Sequence, residues 1–403
     1  MEEKENVEIN SIPKLFWNTV QDRAEKIAMR EKHLGIWQET SWSSYGESAK
    51  FTGLALRSLG LEKGDVVSIA SDGIPECLFT DMGTIGAGGI SSGIYTTDSA
   101  AQVKYLVNDS KTKFYFAENE EQLDKILEVR NECPSLKKII VYDMEGLNEF
   151  KDDQVLSYEE FIQLGKKLDS DQPELWLQSI NSVEADDIAI LVYTSGTTGP
   201  SKGAMINHKN LLYSVNTGVE IFEAREHEEQ LSFLPLCHIL ERSVSVMFPL
   251  KTGAVVNFAE SIDTVPENIR EVSPTVFVAV PRIWEKFYSS ITILRYFYNI
   301  SINTGAKYKE YFIEGKEPPL KLKLMFWICN QLVLKNIKKL LGLNNCRYAL
   351  SGAAPISPEL INWYLSLGID MREGWGMTET AGVGTAFYSR EIKLGHVGRA
   401  VNN

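Results

Sequence analysis

Apolar positions along the chain change period in a regular alternation. From Tyr45 onward, Ala49, Leu54, Ala55 and Leu59 recur near helical spacing until Gly60 stops the run, and Asp65-Val-Val-Ser-Ile-Ala70 follows as a buried strand. Phe114-Tyr-Phe-Ala117 and Ile139-Ile-Val-Tyr142 read as further strands, separated by the acidic helical stretch Glu120–Arg130. A polar, charge-rich connection over 145–183 carries a helix around Tyr158–Leu168. Ile188-Ala-Ile-Leu-Val-Tyr193 is a continuous apolar run, the form of a strand covered on both faces. Later strands are expected at Val255–Phe258, Thr275–Val280 and Arg347–Leu350, and residues 284–345 read as mainly helical apart from a break at Gly315-Lys-Glu-Pro-Pro319. Strands alternating with helices predict an α/β fold with a mostly parallel sheet.

The alternation divides the chain into a leader of 1–40, a first α/β subdomain of 41–183 and a second of 184–403. At 403 residues the chain exceeds one ordinary hydrophobic core. Lys and Arg total 41 against 54 Asp and Glu, a net charge of −13, which argues against broad nucleic-acid binding. The five cysteines form no CxxC pair, so a disulfide framework or a cysteine-built zinc site is not expected. The acidic start Met1-Glu-Glu-Lys-Glu5 has no signal-peptide pattern. No apolar run approaches the roughly 18 residues that cross a bilayer, so a cytoplasmic chain is expected.

The strongest chemical signal is Tyr193-Thr-Ser-Gly-Thr-Thr-Gly-Pro-Ser-Lys-Gly203. Thr194, Ser195, Thr197 and Thr198 offer hydroxyls directly after a buried strand. Gly196 and Gly199 free the backbone so that N–H groups converge on one anion, and Lys202 adds charge. This is a phosphate cradle, without the GxxxxGK[ST] spacing of a Walker loop. The short apolar stretch Ala204-Met-Ile206 behind it implies a loop joining two strands. Ser351-Gly-Ala-Ala-Pro355 follows a predicted strand at its carboxyl end, where open α/β sheets bind ligands. In Gly374-Trp-Gly-Met-Thr-Glu379 an indole between glycines can lie against a base, Thr378 can donate to a phosphate, and Glu379 can hold magnesium.

These blocks resemble the adenylate-forming superfamily of acyl-CoA synthetases, luciferase-like enzymes and peptide-synthetase adenylation domains. Leu234-Pro-Leu-Cys-His-Ile-Leu-Glu-Arg242, Val280-Pro-Arg-Ile-Trp-Glu-Lys286 and the stretch Leu332–Gly382 resemble its long-chain fatty acyl-CoA synthetases, the bubblegum branch in particular. The resemblance implies a large N-terminal domain of two α/β subdomains with a β-rich part. It also implies fatty acid, ATP, magnesium and coenzyme A as reactants and cofactors. Carried over by residue, Thr194–Gly199 and Lys202 hold phosphates, Gly352, Ala353 and Ala354 flank adenine, and Gly374, Trp375, Gly376 and Met377 complete the base site. Lys202, Thr378, Glu379 and His238 are the expected catalytic set, with Trp375 standing where the family usually has tyrosine and His238 positioning the carboxylate. Arg242 and Arg282 are read as structural ion-pair partners.

Past Gly395-His-Val-Gly-Arg399 the family continues with a ribose-binding aspartate, a hinge and a small domain bearing a catalytic lysine, none of which can be placed here. The expectation is therefore a C-terminally truncated ligase. A nucleotide- or acyl-binding pseudo-enzyme and an acyl-AMP ligase with another acceptor are the alternatives. Two further segments carry structural expectations. Gly83-Thr-Ile-Gly-Ala-Gly-Gly-Ile-Ser-Ser-Gly93 reads as tight helix–strand packing rather than a dinucleotide loop. Leu320–Leu343, with Lys321, Lys323, Lys335, Lys338 and Lys339 among apolar residues, reads first as a buried helix with a solvated lysine face, and second as a peripheral membrane contact.

Overall fold

The computed structural model describes residues 9–194, 199–225, 227–291, 295–388 and 392–401, with the side chains of 295–297 excepted. By contacts the chain divides into one unit of Met1–Glu31, Trp37–Tyr213 and Leu234–Arg242, and a second of Lys32–Ile36, Ser214–Phe233 and Ser243–Asn403.

Before the first long helix, a helix Ile12–Asp22 leads into the hairpin of β1 (Ile27–His33) and β2 (Ile36–Ser41), turned by Leu34 and Gly35 at positive φ. Ile12, Phe16 and Met29 are buried, so most of the expected leader is packed structure.

The first unit is built on a seven-stranded sheet of β3 (Val66–Ala70), β4 (Ile90–Ile94), β5 (Phe114–Ala117), β6 (Lys138–Val141), β7 (Val155–Ser157), β8 (Ile188–Thr194) and β9 (Lys202–Asn207). Its order is β7-β6-β5-β3-β4-β8-β9. Every pair is parallel except β8 with β9. The inner strands β3 and β5 are buried throughout, as their unbroken apolar sequences require. Because β8 pairs with β4, the strand expected to open a second subdomain at 184 completes the sheet of the first.

Two helices on this sheet, Trp42–Ser58 and Pro75–Gly86, approach closely. A Cβ on Gly53 would lie 2.7 Å from the Gly83 carbonyl oxygen, and one on Gly86 would lie 2.4 Å from the Trp176 ring. Gly83 and Gly86, in the helical part of the run expected to mediate helix–strand packing, thus serve helix–helix and helix–indole contact, while Gly89 packs between Thr84 and the Asp65 carbonyl. Phe16, Tyr45 and Phe79 pack as a chain of tilted rings beside it.

In the second unit β10 (Glu229–Ser232) pairs in parallel with β11 (Val255–Phe258). A separate parallel sheet has the order β12 (Val276–Ala279), β13 (Tyr348–Ser351) and β14 (Met371–Glu373). Its core joins Phe277, Trp284, Ala349, Tyr364 and Met371. The Trp284 indole donates to the Ala279 carbonyl at 3.2 Å, and the Tyr364 hydroxyl donates to the Trp284 carbonyl at 2.8 Å, so both aromatic polar groups are satisfied inside the core.

The lysine-rich stretch departs from expectation. Helix Leu320–Cys329 buries none of its residues. Leu320, Leu324, Trp327, Ile328 and Leu332 are exposed along one helical stripe, with Trp327 59% exposed. No helix among the described residues is long and apolar enough to cross a membrane.

Candidate functional site

The phosphate-cradle sequence lies in the first unit, at the tip of the β8–β9 hairpin. The antiparallel register sets Thr194 opposite Lys202 and Tyr193 opposite Gly203. Ser195, Gly196, Thr197 and Thr198 lie outside the described residues. Gly199 follows them at φ +106°, in the region that favours glycine. Two tyrosines fix the base of the loop: Tyr105 donates from its hydroxyl to the Ser201 carbonyl at 2.7 Å, and Tyr193 donates to Asp109 at 2.7 Å. The Lys202 side chain is exposed and has no ion-pair partner among the described residues, so its charge is available to an anion.

His238 belongs to the same unit. Its Nδ1 accepts the Leu240 backbone N–H at 3.1 Å, which assigns the ring proton to Nε2 in the neutral form. Burial holds its pKa below the ordinary histidine value, so the ring is neutral at pH 7 and can donate from Nε2. The segment around it is pinned at both sides. Cys237 backs onto Gly93, where any Cβ would lie 2.5 Å from that of Cys237. Arg242 forms a buried ion pair with Asp81 and donates to Ser91 Oγ at 3.1 Å. Arg242 is thus a structural partner, in line with its exclusion from the expected site. Burial pushes the Cys237 thiol up to about 12, which removes it as a nucleophile.

The other expected residues lie in the second unit, after the carboxyl ends of neighbouring parallel strands. Gly352, Ala353 and Ala354 follow β13, and Gly374–Glu379 follow β14. Gly352 N–H donates to the Ala279 carbonyl, Gly374 N–H donates to the Ser351 carbonyl at 3.1 Å, and Glu373 accepts the Ile356 N–H at 3.3 Å. Ala353 holds φ +66° within this turn, a left-handed conformation in a residue other than glycine, such as clusters at ligand sites. The buried Ser351 Oγ has no hydrogen-bond partner among the described residues.

Trp375 pairs with Thr385 as an isolated antiparallel bridge. Its indole lies over Gly384, whose Cβ would come within 2.5 Å of the ring, yet the side chain is 49% exposed. One part of the ring is therefore backed by glycine while another is open for a flat ligand. Gly376 closes on the Gly382 carbonyl too tightly for a side chain. The turn is completed by Thr380 Oγ1, which accepts the Met377 N–H at 3.1 Å, and by Ala381 at φ +53°. Thr378 is buried, while Met377 and Glu379 are exposed.

No group of three His, Cys, Asp or Glu among the described residues could hold a metal unaided. A single exposed carboxylate at Glu379 fits magnesium, which is commonly bound by one or two carboxylates together with substrate phosphates. The open indole, the unpaired Ser351 hydroxyl and the positive-φ turn fit a purine base. Tyr105, Asp109 and Glu373 escape sequence reasoning, because each acts through a contact distant in the chain.

The chain matches the AMP-binding enzyme family over residues 16–403. It is 32% identical to the long-chain-fatty-acid–CoA ligase ACSBG2 of Xenopus laevis over 97% of its own length and 54% of the relative's. It is 29% identical to ACSBG1 of Homo sapiens, covering 92% of this chain and 52% of that one. It thus spans about half the length of these curated relatives. Its fold superposes on the N-terminal domain of FACL13 from Mycobacterium tuberculosis with a TM-score of 0.70 at 19% identity, covering 97% of this chain and 82% of that domain. It superposes equally well, at a TM-score of 0.70 and 20% identity, on the anthranilate CoA ligase AuaEII, covering 97% of this chain and 64% of the ligase. With the parallel sheets and the Gly-Trp-Gly turn in place, the match across nearly the whole sequence makes this chain a member of the AMP-binding enzyme family.

Proposed function

We propose that the chain is the nucleotide-binding part of a long-chain fatty acid–CoA ligase. The observation that carries this is its 28–32% identity, over almost its full length, to relatives named as such ligases. A fatty acid carboxylate oxygen attacks the α-phosphorus of ATP, the bond to pyrophosphate breaks, and acyl-AMP forms. The sulfur of coenzyme A then attacks the acyl carbon, AMP leaves, and the thiol proton passes to solvent.

Each side chain has a distinct part. Thr194, the hydroxyls and N–H groups of 195–199, and Lys202 hold the phosphates. Gly352, Ala353 and Ala354 flank adenine, and Trp375 stacks on it between Gly374 and Gly376, with Met377 at the edge of the turn. Thr378 donates to the α-phosphate. Magnesium, when bound, offsets charge on the polyphosphate, and Glu379 would hold it. His238, neutral with its proton on Nε2, orients the fatty acid carboxylate.

The test is palmitate-dependent AMP formation with ATP, magnesium and coenzyme A. Turnover supports the ligase reading. Binding of ATP without turnover supports the pseudo-enzyme reading, and turnover independent of coenzyme A supports another acceptor.

A second reading follows from the exposed helix Leu320–Cys329: the chain is cytoplasmic and rests peripherally on an anionic membrane. Leu320–Leu343 contains no Asp or Glu and five lysines, in a chain of net charge −13. An apolar stripe flanked by cations alone is the composition of an interfacial helix. Reversing Lys321, Lys335 and Lys339 to Glu should abolish co-sedimentation with phosphatidylserine vesicles; unchanged co-sedimentation removes the reading.

A further inference from the structure

The expected nucleotide residues of the second unit follow the carboxyl ends of β13 and β14. The opposite, amino-terminal edge of the same sheet carries a cavity of about 360 Å³. Arg347 and Tyr348 enter it at the start of β13, and Ile369 and Asp370 immediately before β14. Its volume falls in the range of pockets that enclose small organic ligands. All of its wall belongs to the second unit.

The wall has two chemical faces. One is apolar: Tyr308 and Phe326 stack with centroids 4.2 Å apart and planes 12° from parallel, with Phe312 and Leu365 beside them. The other is cationic, and most of its charge is already answered. Arg347 pairs with Glu228 and donates to the Phe222 carbonyl at 2.8 Å. Arg372 pairs with Asp370 at 2.7 Å and 2.9 Å and donates to the Phe387 carbonyl at 2.7 Å. Lys309 is different. Its side chain is 8% exposed, it lines the cavity, and its ammonium has no hydrogen-bond or ion-pair partner among the described residues. Arg225 stands exposed at the rim, with Glu223 nearby.

An ammonium that lines a cavity and is held by no bonded carboxylate is open to a ligand anion, which would complete its charge-assisted hydrogen bonds. Burial draws the Lys309 pKa below that of a free lysine, against the attraction of the neighbouring Glu310 carboxylate. We infer that this cavity is a second ligand site, taking a small amphiphilic organic anion whose acidic group meets the Lys309 ammonium while its apolar body lies against Tyr308, Phe312 and Phe326. The site is separate from the second unit's nucleotide residues by position on the sheet, and the inference does not depend on the ligase reading.

The experiment is amine acetylation of the folded full chain, with modification of individual lysines read by mass spectrometry. Octyl phosphate, inorganic phosphate and ATP are added in separate arms. The expected result is at least fivefold protection of Lys309 by octyl phosphate, little by inorganic phosphate, and none by ATP. Equal labelling of Lys309 with and without octyl phosphate overturns the site. Equal protection by inorganic phosphate overturns the amphiphile class, and protection by ATP overturns separateness. Calorimetric titration with octyl phosphate adds a second readout: Lys309→Gln should weaken binding at least tenfold, and Lys309→Arg should restore most of it. Wild-type affinity in a folded Lys309→Gln variant also overturns the proposal. Should that variant not fold, the footprint on the wild-type chain decides alone.

Discussion

At the residue scale, the clearest physical prediction concerns a histidine outside the proposed site. His208 is buried, its Nδ1 accepts the Ile12 N–H at 3.4 Å, and burial lowers its pKa to about 4. The unfolded chain binds that proton near the ordinary value of about 6.5. Stability from neutral His208 is therefore fully present above pH 6.5 and is lost as pH falls towards 4. The loss amounts to about 3 kcal/mol. Urea midpoints measured across that window should fall in the wild type and change less in His208→Asn; parallel profiles would contradict the assignment. In the proposed base site, Trp375→Ala should weaken AMP binding by roughly 1–3 kcal/mol, the usual worth of base stacking. An unchanged dissociation constant would remove Trp375 from the site. Glu379→Gln should raise the magnesium concentration needed for half-maximal adenylation, with excess magnesium restoring part of the rate. These residues are legible in the sequence because glycine, tryptophan, hydroxyl and acid stand within a few positions of each other. Lys309 is not, because a lysine within a helix shows its burial only once other segments cover it.

Among elements, glycines decide how closely helices meet. A Cβ on Gly165 would lie 1.9 Å from the Phe51 carbonyl oxygen, whereas one on Gly218 meets nothing within 4 Å among the described residues. The same substitution should therefore act in opposite directions. Gly165→Ala should lower stability by about 1–3 kcal/mol through backbone displacement. Gly218→Ala, inside helix His208–Ile221, should raise it by about 0.5–1 kcal/mol. Denaturant unfolding of both variants checks the pair; two changes of the same sign would contradict it. Strand identity was legible from unbroken apolar runs at β3, β5 and β8. The partners of those strands were not: β8, expected within the second subdomain, joins the sheet of the first because pairing with β4 is a long-range choice that no local pattern encodes. Helix Leu320–Cys329 shows the same limit in reverse. Its apolar residues look buried in sequence, yet their stripe faces away from the core of its unit.

For the whole molecule, family and function rest on different footings. Membership in the AMP-binding enzyme family follows from the match over residues 16–403. The proposed activity further needs a fatty acid and a nucleotide to meet on this chain. The most direct measurement is equilibrium binding of a non-hydrolysable palmitoyl-AMP analogue to the folded 403-residue chain, with AMP and palmitate as competitors. The expected result is one site per chain, binding tighter than AMP alone, displaced by AMP and weakened by Trp375→Ala. A folded chain that binds neither the analogue nor AMP would contradict it.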